Sequence, residues 1–171
     1  MKKYLDIMKT HGLINGCKRV YEQIFENEFY DFINGVDTSS IVDNKTYKEI
    51  ISKDHDGWMH YQPTYTNTIK KAISALINNL GKEKKVTFID LGCGKGKPLL
   101  IAREMFNECE LIGVDINEDL LKICKKNLEH FNRGRKKVNF DLLSDSVLNI
   151  ENIEKLHSPN TLIFHNKNSF D

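Results

Sequence analysis

The segment Val86-Thr-Phe-Ile-Asp-Leu-Gly-Cys-Gly-Lys-Gly-Lys-Pro98 constrains the fold of this chain more than any other. Val86, Phe88, Ile89 and Leu91 make a short apolar run of strand type, closed by Asp90, and Gly92, Gly94 and Gly96 follow at alternate positions. Glycine lets backbone N–H groups come close to a ligand, because no Cβ stands in the way. The helix expected to follow presents the positive end of its dipole. Turns of this build hold nucleotide-like molecules in open α/β sheets.

Spacing separates the known uses of such a turn. A dinucleotide fingerprint G-x-G-x-x-G needs glycine at position 97, where Lys97 stands. A phosphate-cradling loop needs glycine where Leu91 lies and Ser or Thr where Pro98 lies. What remains is Asp-x-Gly-x-Gly-x-Gly, Asp90 to Gly96. A second apolar run, Leu111-Ile-Gly-Val, ends in Asp115, and a carboxylate about 20 residues past a glycine turn can accept both hydroxyls of a ribose. Leu99–Phe106 between them has helical length, so the unit reads as strand–helix–strand with a right-handed parallel crossover. The next helix is predicted over 117–128, with Asn117 as N-cap and Leu120, Leu121, Cys124 and Leu128 on one face. Further strands are predicted over 137–143, ending in Ser144-Asp145-Ser146, and over 161–164. Asp141 competes with Asp145 as the acid of the third strand.

The front of the chain follows a different pattern. Leu5, Met8, Leu13, Ile14, Val20, Ile24, Phe25, Phe29 and Phe32 recur at rough helical spacing, and Gly12 and Gly16 are expected to break the run into two pieces. Such a stripe reads as core or packing surface, and Glu22, Glu26 and Glu28 speak against a membrane-surface helix. A loop is expected at Asn34–Ser40 and a short helix at 47–51. The loop Trp58–Tyr65 leads into a helix with Ile69, Ala72, Ile73, Leu76, Ile77 and Leu80 on its apolar side, with Thr64 or Thr66 as its cap and Gly81 at its end. Tyr61 and Trp58 either line the mouth of the site or anchor the N-terminal helices.

Lys and Arg number 25 against 24 Asp and Glu, a net charge of +1, which offers no electrostatic case for a nucleic-acid partner. The basic cluster Arg133, Arg135, Lys136 and Lys137 reads as a solvated loop. None of Cys17, Cys93, Cys109 and Cys124 stands at C-x-x-C spacing, so no metal site is expected. Without a signal peptide or an 18-residue apolar run, the chain reads as cytoplasmic with reduced thiols and no membrane association.

The Asp90–Gly96 motif with Asp115 resembles the cofactor site of the class I S-adenosylmethionine-dependent methyltransferases. Gly35-Val-Asp-Thr38, Tyr61-Gln-Pro-Thr64 and Asp90-Leu-Gly-Cys-Gly-Lys-Gly-Lys97 together resemble one uncharacterised bacterial-type group of that superfamily. The chain is also partly similar to the Dot1-type protein lysine methyltransferases. The resemblance implies a Rossmann-like, doubly wound α/β sheet with strand order 3-2-1-4-5-7-6, of which four strands are legible here. The expected organisation is an N-terminal helical extension over 1–60 and an α/β domain over 61–171, truncated after the fourth strand, whose bare edge makes pairing plausible but leaves the oligomeric state open.

S-Adenosylmethionine is the implied cofactor and an unidentified small molecule or protein the implied acceptor. Asp90, Gly92, Cys93, Gly94 and Gly96 would surround the methionine part, Asp115 and Ile116 the ribose side, and Asp145 and Ser146 the adenine. Tyr61, Thr64, Asn168 and Phe170 are substrate-side candidates, and no catalytic base is identified. Relatives often carry Asn-Pro-Phe after the fourth strand, whereas this chain reads Asn168-Ser-Phe170 and lacks the fixed φ of proline. Lys97 reads as pairing with a carboxylate or with Asp90 or, slightly preferred, as a solvated lysine at a helix start. A non-catalytic cofactor-binding module is the alternative expectation, and a nicotinamide-dependent oxidoreductase a weaker one.

Overall fold

The computed structural model describes residues 2–40, 61, 63–80, 85–133, 138–146 and 160–165. Four parallel strands form one sheet in the order β3-β2-β1-β4: β1 (Val86–Leu91), β2 (Cys109–Asp115), β3 (Phe140–Ser144) and β4 (Thr161–His165). The order matches the first four strands of the expected α/β topology. Every residue of β1 is buried, as a central parallel strand requires, and four of its six residues are apolar. The chain steps from β1 to β2 to β3 on one side and returns as β4 on the other side of β1. The β1/β4 junction is therefore the topological switch point, where ligands bind at the carboxyl ends of strands.

Helices α4 (Thr66–Leu80), α5 (Lys97–Met105) and α6 (Glu118–Phe131) build the main core against this sheet. Ile69, Ile73 and Ile77 of α4, Leu99–Ala102 of α5 and Leu121, Cys124 and Leu128 of α6 meet Phe88 and Leu111 there. Ile89, Leu91, Ile112 and Val114 point to the other face and form a separate cluster, as strand alternation dictates. Asn117 caps α6 as its position suggested: its Oδ1 accepts from the amides of Asp119 (2.9 Å) and Leu120 (3.2 Å). Thr66 acts otherwise. It is the first residue of α4, and its hydroxyl donates to the carbonyl of Glu26, while the Glu26 carboxylate takes the Asn67 amide at 3.1 Å.

The N-terminal stretch comprises α1 (Lys2–His11), α2 (Leu13–Glu22), a π-helical segment (Gln23–Glu28) and α3 (Phe29–Asn34). Gly12, at φ 74°, ends α1 as expected. Gly16 does not break the chain: it is buried inside α2, where a Cβ would lie 2.6 Å from the Met8 Cα, so it permits α1 and α2 to pack closely. The apolar stripe also departs from expectation. Leu13, Ile14, Phe25, Phe29 and Phe32 are exposed, and the inward face carries Asn27, Tyr30 and Asp31. The physical reason lies at the glycine turn, which needs hydrogen-bond acceptors more than it needs methyl groups. The expected helix at 47–51, Trp58 and Gly81 lie outside the described residues. No described helix is long and apolar enough to cross a membrane.

Phe88 is fully buried, with its ring centroid 6.5 Å from that of Phe106 and 6.1 Å from that of Phe164. Phe88→Ala is expected to lower unfolding stability by about 3–5 kcal/mol in chemical denaturation, through lost burial and a residual cavity. A loss under 1 kcal/mol would contradict this packing.

Candidate functional site

The strand β1 ends at Leu91, and the chain turns through Gly92, Gly94 and Gly96, at φ 75°, 52° and 85°. This left-handed backbone is strained for residues with a Cβ. Two of the three glycines also answer to close neighbours. A Cβ on Gly94 would lie 2.5 Å from Cε2 of Tyr61, and one on Gly96 would lie 2.5 Å from the Cys124 Sγ. Gly92 is exposed, with open space where its Cβ would be, so it faces outward rather than into the core.

Asp115, at the end of β2, faces this turn. Its Oδ2 accepts from the Gly94 amide and its Oδ1 from the Asn117 amide, both at 2.8 Å. One carboxylate thus ties the glycine turn to the start of α6. Burial pushes its pKa up, and these two backbone bonds pull the other way, leaving it raised. Each of its oxygens retains capacity to accept a further hydrogen bond. The amide of Asp145 donates to the Asp115 carbonyl at 3.3 Å, which draws the end of β3 to the same edge. Ser146 follows, its amide 2.6 Å from Oδ1 of Asp145, and Ile116 is 47 % exposed beside them. Asp141, the competing acid, is an exposed residue of β3.

Asp90 sits one strand over and is 2 % exposed. Its Oδ2 is buried with no hydrogen-bond partner among the described residues. Burial first, and then the charge of Asp115, push its pKa well above the usual carboxylate range. A buried carboxylate oxygen without a donor is unfavourable unless a ligand supplies one. Cys93 is buried under the turn, and a hydrogen bond with Cys124, then burial, raise its thiol pKa well above the usual value, which disfavours a thiolate nucleophile.

The three motifs singled out in the sequence come together here. The Tyr61 hydroxyl donates to the Thr38 carbonyl at 2.6 Å while its ring covers Gly94. Burial, followed by the charges of Asp31 and Asp37, raises its pKa well above the usual value, so it remains a donor. Lys95 reaches both carboxylate oxygens of Asp37 at 3.1 Å. Thr64 lies half-buried ahead of α4. Asn168 and Phe170 lie outside the described residues.

Sequence reasoning missed the inward role of Asn27, Asp31 and Asn127, since buried polar residues inside helices leave no periodic signal. It also misjudged Lys97. The side chain is 1 % exposed, and its ammonium donates to the Glu26 carbonyl at 2.7 Å and to Oδ1 of Asn27, 5.2 Å from the Tyr30 ring centroid. The residue neither pairs with Asp90 nor points to solvent. Instead it fastens α5 to the π-helical segment, a helix form common at functional sites.

The methyltransferase domain family matches residues 82–168, just over half of the chain. The chain belongs to that family. It is 46 % identical over 41 residues to the rRNA N(6)-adenosine-methyltransferase metl-5 of Caenorhabditis elegans, an alignment covering 24 % of this chain and 19 % of the relative. A Pyrococcus horikoshii protein described as an RNA methyltransferase superposes with a TM-score of 0.47 at 21 % identity, over 67 % of this chain and 52 % of that one. The plantazolicin methyltransferase BpumL, solved in complex with SAH, superposes with a TM-score of 0.37 at 16 % identity, over 57 % of this chain and 40 % of that one. The chain thus spans about a fifth of the curated relative and about half of the first of these structures.

Burial depresses the pKa of Lys97 from 10.5 to about 8, against the opposing pull of the Asp31 and Glu26 charges. Between those values the unfolded chain binds more protons than the folded one, so this group's contribution to stability rises with pH across that window. In urea unfolding series, the stability of wild type minus that of Lys97→Met is expected to climb by about 2–3 kcal/mol from pH 8 to 10.5. A flat or falling difference would contradict a pKa lowered by burial at this position.

Proposed function

We propose that this chain binds S-adenosylmethionine at the glycine turn and directs its methyl group to an acceptor. The observation that carries the reading is the Asp115 carboxylate bridging Gly94 and Asn117 at the carboxyl ends of β1 and β2. The residues fit the group. Gly92 leaves open space over the turn, and the donorless Oδ2 of buried Asp90 suits the ammonium of the methionine part, directly or through water. Asp115 retains acceptor capacity for the ribose hydroxyls. Asp145, Ser146 and the exposed flank of Ile116 gather where the adenine would lie.

When bound, the sulfonium supplies an activated methyl group. The protein's contribution is to align donor and acceptor and to exclude water. Gly92 admits the cofactor to the backbone, Gly94 and Gly96 let the turn pack under Tyr61 and against Cys124, and Cys93 is buried within the turn. Tyr61, held by the Thr38 carbonyl, covers the turn from the N-terminal side. Tyr61 and Thr64, ahead of α4, are substrate-side candidates, with Asn168 and Phe170 as further ones by their sequence. Membership of the methyltransferase domain family supports this reading.

Asp115→Ala is expected to weaken S-adenosylhomocysteine binding by about 1–3 kcal/mol in titration calorimetry, through loss of charge-assisted hydrogen bonds. Unchanged affinity would remove Asp115 from the site. Asp90→Asn is expected to have opposite effects on binding and stability. It relieves a buried acid beside Asp115 and so raises the ligand-free melting temperature by about 2–4 °C, while binding weakens. A variant that is both less stable and equally able to bind would refute the role of Asp90.

A further inference from the structure

Lys95 occupies the middle of the glycine turn, between Gly94 and Gly96, yet its side chain is only 1 % exposed. It turns away from the strand ends and into the N-terminal segment. Its ammonium meets Oδ1 and Oδ2 of Asp37 at 3.1 Å, the Ser40 carbonyl at 2.9 Å and the Ser40 hydroxyl. The Tyr61 ring lies 5.5 Å from the same nitrogen. Fully buried lysines are rare and are paired where they occur. Among the described residues, every partner of the Lys95 side chain comes from outside the α/β unit or from the segment leading into it.

The backbone of Lys95 is held as well. Asn127, 5 % exposed in the middle of α6, donates from Nδ2 to the Lys95 carbonyl at 3.0 Å and to the Asp37 carbonyl at 2.8 Å. Its Oδ1 accepts from the Asp37 amide at 3.0 Å. One side chain thus joins the turn after α3, the glycine turn and α6. The turn after α3 is itself organised by Asp31, which accepts from the amides of Thr38 (2.8 Å) and Ser39 (2.7 Å) and from both their hydroxyls. The N-terminal neighbour of Lys95 is not free to compensate, because Gly94 is bonded to Asp115 through its amide. Any movement of Lys95 is therefore felt at Gly94 and at the Asp115 carboxylate.

We propose that Lys95 is a positioning residue of the cofactor site, and that the turn Asp37–Ser40 acts on cofactor affinity through Lys95 and Asn127. The inference rests on the reading of the glycine turn as the S-adenosylmethionine site. Lys95 acts through the backbone: its ammonium is committed to Asp37 and Ser40, and it holds the turn in the shape that presents Gly92 and keeps the Gly94 amide on Asp115. Linkage is reciprocal, so a ligand that prefers the ordered glycine turn also stabilises the turn at 37–40.

The test uses the full chain and S-adenosylhomocysteine as the probe. The Asp37 side chain is 49 % exposed, so its replacement removes an ion-pair partner without opening the core. Asp37→Ala is expected to raise the calorimetric Kd about tenfold, and Asp37→Glu, which keeps the charge, to stay within threefold of wild type. In the unaltered chain, saturating probe is expected to slow hydrogen exchange at the amides of Thr38 and Ser39 severalfold. A purely structural role would lower the melting temperature of Asp37→Ala and leave Kd alone, which overturns the proposal. Exchange at Thr38 and Ser39 that is indifferent to the probe overturns it equally, and that measurement does not depend on any variant folding. If the unaltered chain binds no probe at all, the cofactor reading fails first and this inference falls with it. Binding with an indifferent turn defeats the inference alone.

Discussion

A single carboxylate, that of Asp115, holds two backbone amides from two different segments, and the rest of the site is arranged around it. The Gly94 bond fixes the turn after β1, and the Asn117 bond fixes the start of α6. Both are bonds from uncharged donors to a buried charge, stronger than neutral pairs because the surroundings are poorly polarisable. The neighbouring acid, Asp90, has no such support at its Oδ2 among the described residues, and burial followed by the charge of Asp115 on the adjacent strand disfavours its ionised form. An edge of the sheet carrying two buried acids is a place where a cationic group would be welcome, and the crevice at the switch point is where one can enter.

The N-terminal helices contribute by an unusual choice of inward face. Period alone would bury Phe25, Phe29 and Phe32, yet these are exposed, and Asn27 and Asp31 point inward. The lysines of the glycine turn decide this. Lys95 and Lys97 are both buried, and a buried ammonium without acceptors is far more unfavourable than an exposed phenyl ring. Lys97 finds the Glu26 carbonyl and Asn27, and Lys95 finds Asp37 and Ser40. The π-helical geometry of 23–28 accompanies this: the Glu26 carbonyl takes both Lys97 and the Thr66 hydroxyl. Tyr30 completes the junction by entering the main core.

Much of the α/β unit is legible in the sequence, because its signals are local. The apolar run Val86–Leu91, the alternating glycines and the Asn117 cap each state their structure within a few residues, and all three are realised. Gly16, Lys97 and Thr66 were misread for one shared reason. Each is a residue whose usual local meaning, as helix breaker, solvated lysine or cap, was overridden by a partner far away in sequence: Met8, Asn27 and Glu26 respectively. Asn127 could not have been found at all, since a polar residue in the middle of an amphipathic helix has no spacing that announces a long-range contact.

The sequence by itself determined the parallel order of β1 and β2, the glycine turn between β1 and α5, and the acid facing it, since these follow from periodicity, from the backbone freedom of glycine and from crossover handedness. Tertiary structure alone decided which face of the N-terminal helices turns inward and what the two lysines of the turn hold. Those outcomes depend on where buried charges find acceptors, and that is a property of distance in space rather than spacing along the chain.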